Sequence, residues 1–168
     1  SEEEARNVAQ IVGLSALKYG DLSNQASKDY VFDIDRFTSF EGKTGPYILY
    51  TIVRIKSILT RYAEAGKKAE EFGNNILPAT KDSEKALMME LTKFNEVMEL
   101  VEKELAPHKI CSYVYDISNA FNRFYHETKI ISEENQEQQA SYIKLLELTK
   151  KVLETEIDLL GFSAPERM

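Results

Sequence analysis

Five residues at helical spacing, Tyr47, Thr51, Arg54, Ile58 and Arg61, bring together the side chains of this sequence best suited to chemistry. Steps of four, three, four and three fall along one line of an α-helix, so a ring, a hydroxyl and two guanidinium groups share a side. Rings stack on bases and guanidinium groups hold phosphates, which is the chemistry of single-stranded nucleic-acid binding. One residue out of phase, Ile48, Ile52, Ile55 and Leu59 form an apolar stripe that turns the same helix towards a core. Local charge agrees: between Gly42 and Lys68 the basic residues Lys43, Arg54, Lys56, Arg61, Lys67 and Lys68 face a single acid, Glu64. The whole chain of 168 residues carries a formal charge of −7. That excludes a globally basic nucleic-acid binder and leaves this stretch as the place a polyanion would approach.

Other chemistries fail on spacing. Gly42-Lys43-Thr44 has the tail of a phosphate-binding P-loop, but Phe37 stands where the loop needs its first glycine, and no strand of adequate length leads into it. It reads as a turn before a helix. A carboxylate-bridged metal pair in a helix bundle uses Glu-x-x-His; Leu105 and Arg123 occupy the glutamate positions before His108 and His126. Those histidines read as helix-start and helix-end residues. Cys111 is the only cysteine, so no internal disulfide or thiolate cluster can form, and it is expected as a small buried hydrophobe in a reducing, cytoplasmic protein. No Ser-His-Asp grouping is suggested locally. No catalytic residue, metal ligand or cofactor is assigned to this chain.

The elements that position the stripe are helical. Glycine and proline are scarce (7 and 4 residues), and no apolar run approaches the length of a membrane span. The class predicted is all-α, a bundle of four or five main helices in one domain. Helix one follows the acidic Glu2-Glu3-Glu4 and runs to about Tyr19, with Gly20 as its cap. Tyr30 to Ile34 is a short extended or loop-packed segment, and Phe37, Phe40 and Gly42 lie in a loop. Pro46 opens the central helix, which reaches about Glu64 before Gly66. Ser83 is the predicted cap of a helix broken near Asn95. From Pro107, Ile110, Val114, Ile117, Phe121 and Phe124 give the cleanest amphipathic run, with Tyr113, Tyr115, Asn119, Asn122, Arg123 and Tyr125 on its remaining faces. The last helix spans about Glu137 to Leu160 and ends at Gly161. Tyr30, Tyr50, Tyr113 and Tyr115 read as core rings with polar tips. Tyr47 and Tyr125, set among basic or amide neighbours, are equally open to base contact.

Asp29-Tyr30-Val31-Phe32-Asp33, Ser39-Phe40-Glu41-Gly42, Thr44, Pro46-Tyr47, Tyr50, Arg54 and Ser57 resemble the start of the C-terminal anticodon-binding domain of arginyl-tRNA synthetases, class I, in the bacterial form. Ala106-Pro107-His108, Tyr113, Tyr115-Asp116, Ala120-Phe121, Phe124-Tyr125, Val152-Leu153, Leu159-Leu160-Gly161 and Pro165-Glu166-Arg167-Met168 are similar to the rest of that domain. The resemblance covers essentially the whole chain. It implies a helical bundle that grips the anticodon loop of arginine tRNA and reads chiefly the central cytosine. Residues 1–22 would be the helix joining a preceding catalytic domain, and residues 23–168 the anticodon-binding domain.

By the same resemblance, Tyr47 and Thr51 would meet an anticodon base, and the loop from Arg36 to Glu41, with Phe37, Ser39 and Phe40, would shape the anticodon pocket. Tyr125 would meet the loop, and Met168 would pack against the displaced base. Lys43, Arg54 and Arg61 would hold phosphates. Partners would be arginine tRNA and the enzyme's own catalytic domain, with no membrane; the protein would be a monomer. ATP and Mg2+ would serve that parent enzyme, and this fragment alone would be inactive. Leu49, Tyr142 and Thr155-Glu156 depart from the family pattern, which has Gln at the first position, Arg at the second and a pair ending in glycine at the third. The rival readings are a helical protein-interaction domain, which would present an apolar face at Tyr47–Arg61, and a complete enzyme.

Overall fold

An acidic first turn and a capping box begin α1 (Glu2–Leu22): the Ser1 hydroxyl accepts from the Glu4 backbone N–H, and the Glu4 carboxylate accepts from the Ser1 amine. The computed structural model describes residues Ser1–Met168. Asp33 caps the single turn α2 (Ile34–Phe37), and Thr44 caps α3 (Gly45–Glu64). A 3₁₀ turn covers Ala69–Phe72, followed by α4 (Asp82–Thr92), α5 (Phe94–Glu104), α6 (Pro107–Glu127) and α7 (Gln136–Leu159). No strand is formed.

Helix α3 packs against α1, α6 and α7, while α4 and α5 lie against α6. Ile48, Ile52 and Ile55 of the predicted apolar stripe have no exposed surface, and they meet Val114, Ile117, Phe121 and Phe124 of α6 in one core with Leu145, Leu146 and Leu153 of α7. Tyr19 of α1 is equally buried, and its hydroxyl donates to the Cys111 carbonyl of α6 at 2.8 Å. After α7, Gly161 takes a positive φ of 80° and the chain doubles back as a tail in which Phe162 enters the core. Lys56 holds this tail through Glu154 of α7 (3.2 Å) and Glu166 (2.6 Å), and Arg167 pairs with Glu4 of α1.

Several local expectations shift. Gly20 does not cap α1; it lies inside the helix, where a methyl group would enter the Phe37 ring. Ser83 is the second residue of α4, which Lys81 precedes as N-cap; the expected break near Asn95 is present, at Lys93 between α4 and α5. Six helices of eleven or more residues form, rather than four or five, because that break divides one predicted segment. Tyr113 is buried as expected, but Tyr30 and Tyr50 are 40% and 43% exposed.

Two packing constraints give tests of stability. Gly45 sits against the Ser15 carbonyl of α1, so closely that a Cβ would collide with backbone. Gly45→Ala should destabilise by about 1–3 kcal/mol in urea denaturation, since neither helix can move without opening the core.

Glu156 of α7 is fully buried, both carboxylate oxygens lack hydrogen-bond partners, and burial pushes its pKa up to about 8 from the ordinary 4.5. Between those values the native state keeps a proton that the unfolded chain has released, so the stability this carboxyl permits is full below pH 4.5 and falls as pH rises towards 8. The slope is about 1.4 kcal/mol per pH unit. Glu156→Gln should flatten that slope and raise the urea midpoint at pH 8; parallel pH profiles for the two proteins would refute this.

Candidate nucleic-acid interface

Thr44 sets the direction of the site. Its hydroxyl donates to the Ser39 carbonyl (2.6 Å) and accepts from the Tyr47 N–H (3.2 Å), so the turn before α3 and the first turn of the helix are tied together. Gly42 provides the positive φ of 78° that this turn needs. The Gly42-Lys43-Thr44 segment is thus a helix-capping turn, and Lys43 reaches over the Tyr115 ring of α6, 5.2 Å from its centroid.

From that turn onward, α3 and α6 run side by side and their polar edges meet. The Tyr47 ring packs on Tyr115 at 5.7 Å, and its hydroxyl donates to Asn119 Oδ1 (2.7 Å). Asn122 donates through Nδ2 to the Tyr47 hydroxyl (3.0 Å) and to Thr51 Oγ1 (3.1 Å), and accepts from Arg54 Nη1 (2.6 Å). Arg54 then lies between two rings, its guanidinium carbon 4.6 Å from the Tyr50 centroid and 5.0 Å from that of Tyr125. Burial is the main cause holding the Tyr47 phenol above its ordinary pKa, which keeps the hydroxyl protonated. The result is a strip of rings, amides and cations along one seam of the bundle. Flat rings offer stacking surfaces and the cations suit phosphate, the pairing that single-stranded RNA requires.

The structure brings Lys43, Tyr47, Thr51, Arg54 and Tyr125 into this strip and leaves others outside it. Thr51 has no exposed surface and Phe37 is 8% exposed, so Thr51 supports the face from below and Phe37 packs against Tyr30 and Phe32. Ser39 is half-buried and Phe40 is exposed in the loop that leads to Thr44. Ile58, on the same sequence stripe, turns into the core, while Arg61 is exposed about two turns beyond Arg54. Met168 is 42% exposed. The tail before it is anchored by Lys56 through Glu166 and by Glu4 through Arg167.

Sequence reasoning missed four members: Tyr50, Tyr115, Asn119 and Asn122. Tyr50 precedes Arg54 by four residues, the spacing at which a ring and a cation meet on one helix face. Tyr115, Asn119 and Asn122 step by four and three on α6 and form a second stripe. The three departures from the family pattern have a different place. Leu49, Tyr142 and Glu156 are all buried, and Tyr142 packs edge-on against Phe124 at 5.4 Å. They alter the core and leave the strip unchanged. No three His, Cys, Asp or Glu side chains are grouped to hold a metal ion.

A family model for the DALR anticodon binding domain matches residues 48–168. The chain is 62% identical over 167 residues to the arginine–tRNA ligase of Agathobacter rectalis, covering 99% of this chain and 28% of that protein. It is 56% identical over 165 residues to that of Alkaliphilus oremlandii, covering 98% and 28%. The chain therefore spans little more than a quarter of the length of these relatives. Among solved structures, the Thermus thermophilus arginyl-tRNA synthetase superposes with a TM-score of 0.84 at 28% identity, over 95% of this chain and 27% of that one. The Plasmodium falciparum arginyl-tRNA synthetase gives 0.81 at 30% identity, over 92% and 27%. With helices, order and packing shared with these structures and the family model matched through α3 to the last residue, the chain belongs to the DALR anticodon binding domain family, in the form carried by arginine–tRNA ligases.

Proposed function

We propose that this chain holds the anticodon loop of an arginine tRNA on the α3–α6 strip, as part of an enzyme whose catalytic portion ligates arginine to that tRNA with ATP and Mg2+ in the cytoplasm. The observation that carries this reading is the Tyr50–Arg54–Tyr125 stack beside Tyr47, a row of aromatic faces interleaved with a cation on an otherwise acidic molecule. Unstacked loop bases would lie on Tyr47 and Tyr125, with phosphates held by Lys43, Arg54 and Arg61. Phe40 and Ser39 would border the pocket, Thr51 and Phe37 would support it, and Met168 would reach the loop from the tail.

Exposed apolar side chains are available for contact with the catalytic portion: Leu14 and Leu17 of α1, Val31, Phe32, Ile34 and Leu159 are between 45% and 83% exposed. In this reading α1 is the joining helix, the enzyme works as a monomer, and the chain alone binds without charging.

Fluorescence titration of labelled arginine tRNA at low salt tests the assignment. Tyr47→Ala and Tyr125→Ala should each weaken binding by about 1–3 kcal/mol, and loss of Met168 by about 1 kcal/mol. Three phosphate contacts predict a log–log salt slope of about −2. A tRNA with its central anticodon base changed should bind more weakly. Equal affinity across the variants and both tRNAs would refute the assignment, as would arginyl-tRNA formed by this chain alone from ATP, arginine and tRNA.

A further inference from the structure

Helix α1 divides at Gly13. After it, Ser15, Ala16, Tyr19 and Gly20 are buried, and the Tyr19 hydroxyl ties that half to α6. Before it no residue is buried, and only Glu4, Val8, Ile11 and Val12 are half-buried. Side-chain bonds of this leading half stay close to home, as Arg6 does with Glu2, with one exception: the Glu4 carboxylate accepts from Arg167 of the tail.

Packing gives no reason for a glycine here. A Cβ on Gly20 would strike the Phe37 ring and one on Gly45 the Ser15 backbone, but one on Gly13 would meet no atom within 4 Å. Glycine inside a helix weakens it through the backbone freedom it brings, so Gly13 is where α1 bends most easily.

The tail bridges that point. Lys18, after Gly13, donates to the Gly161 carbonyl (2.6 Å), and Glu4, before it, holds Arg167. Helix from Glu4 to Lys18 rises about 21 Å, and an extended chain from Gly161 to Arg167 spans about 20 Å, so the tail runs along α1 in the opposite direction. Its own seat does not depend on the leading half: Phe162 enters the core, Pro165 is buried, and Glu166 pairs with Lys56 of α3 (2.6 Å).

We propose that Gly13 is a hinge and the tail its latch, so that the leading half of α1 is closed with Arg167 on Glu4 and swings away from the bundle when that clasp opens. Exposed ion pairs are weak, so the clasp opens and recloses readily. Lys56 differs: its side chain is only 12% exposed and it serves both Glu154 and Glu166, which keeps the tail in place while α1 moves. The latch thus sets the direction in which the start of α1 leaves the bundle. That this is also the direction of a preceding portion rests on the reading of α1 as the joining helix; the latch itself belongs to this chain and is measured without it.

Nitroxide labels at the exposed positions Glu3→Cys on α1 and Lys85→Cys on α4 report the motion by pulsed electron paramagnetic resonance, and Cys111, 1% exposed, escapes labelling. Arg167→Ala should raise the population at distances outside the parent's main peak about fivefold. Glu4→Gln, which keeps the capping side chain and loses the charge, should do the same. Adding Gly13→Ala to Arg167→Ala should lower that population again about fivefold, since the methyl group has room and stiffens the helix. An Arg167→Ala distribution identical to the parent's would overturn the latch, and one that Gly13→Ala leaves broad would overturn the hinge. Loss of helicity by circular dichroism in Arg167→Ala would mean that the leading turns melt rather than swing, and would overturn both.

Discussion

Helix α3 is enclosed on most of its circumference, and this constraint determines the rest of the molecule. Ile48, Leu49, Thr51, Ile52 and Ile55 have no exposed surface, and Gly45 seats the first turn against the α1 backbone. Each aliphatic side chain so buried contributes about 1.5–3 kcal/mol. A rotation of α3 by one residue, about 100°, would bring several of them into water together. The direction of Tyr47, Tyr50 and Arg54 is therefore set by the core and not by their own surface contacts. Helix α6 is held the same way by Val114, Ile117, Phe121 and Phe124, which fixes where Tyr115, Asn119 and Asn122 emerge. The network across the seam follows from two helices that cannot turn.

That rigidity bears on the electrostatics. Of the six cations between Gly42 and Lys68, Lys56 is committed to Glu154 and Glu166, and Lys67 donates to Gln139 Oε1 at 2.6 Å. The stretch is less basic towards a ligand than its sequence implies. Arg54 offsets this loss by position: stacked between two rings and bonded to Asn122, it has lost much of its rotamer freedom before any ligand arrives, so less ordering opposes binding. Cation–π contacts of about 0.5–1 kcal/mol each hold it there, weak enough for a base or phosphate to compete.

The fold was largely legible in the sequence because it depends on periodicity. The apolar steps of α3 and α6, the helix start at Pro107 and the stop at Gly161 all lie in local pattern, and the long helices formed where their patterns ran. The failure at Gly20 arose because the deciding contact comes from elsewhere: the Phe37 ring lies against it, and no local pattern announces it. Parts of the strip were legible in single helices, Tyr47 and Arg54 on α3 and Tyr125 on α6. Tyr47 and Arg54 could be found from one helix, but Asn122 gains its meaning only when α6 lies beside α3, 68 positions away from Arg54 in the chain. Thr51 was misread for the opposite reason. A hydroxyl on a polar stripe looks exposed until a second helix covers it.

The tyrosines show how the same side chain serves both core and site, and the hydroxyl's partner separates the two uses. Tyr19 and Tyr113 are buried and donate to backbone carbonyls, of Cys111 and of Glu90. The Glu90 carbonyl lies in the last turn of α4, where it also accepts from the Lys93 N–H of the cap at 3.1 Å, so Tyr113 adds a second bond that reaches it from α6. These two bonds fasten α6 to α1 and to α4 from behind. In front, Tyr47 exchanges hydrogen bonds with side-chain amides instead. A carbonyl within a packed helix has one fixed direction and can only hold a ring in place. An amide offers both a donor and an acceptor, so it can hold the ring and also set which way its hydroxyl points. Rings that anchor the bundle thus meet backbone, and the ring on the α3–α6 strip meets asparagine.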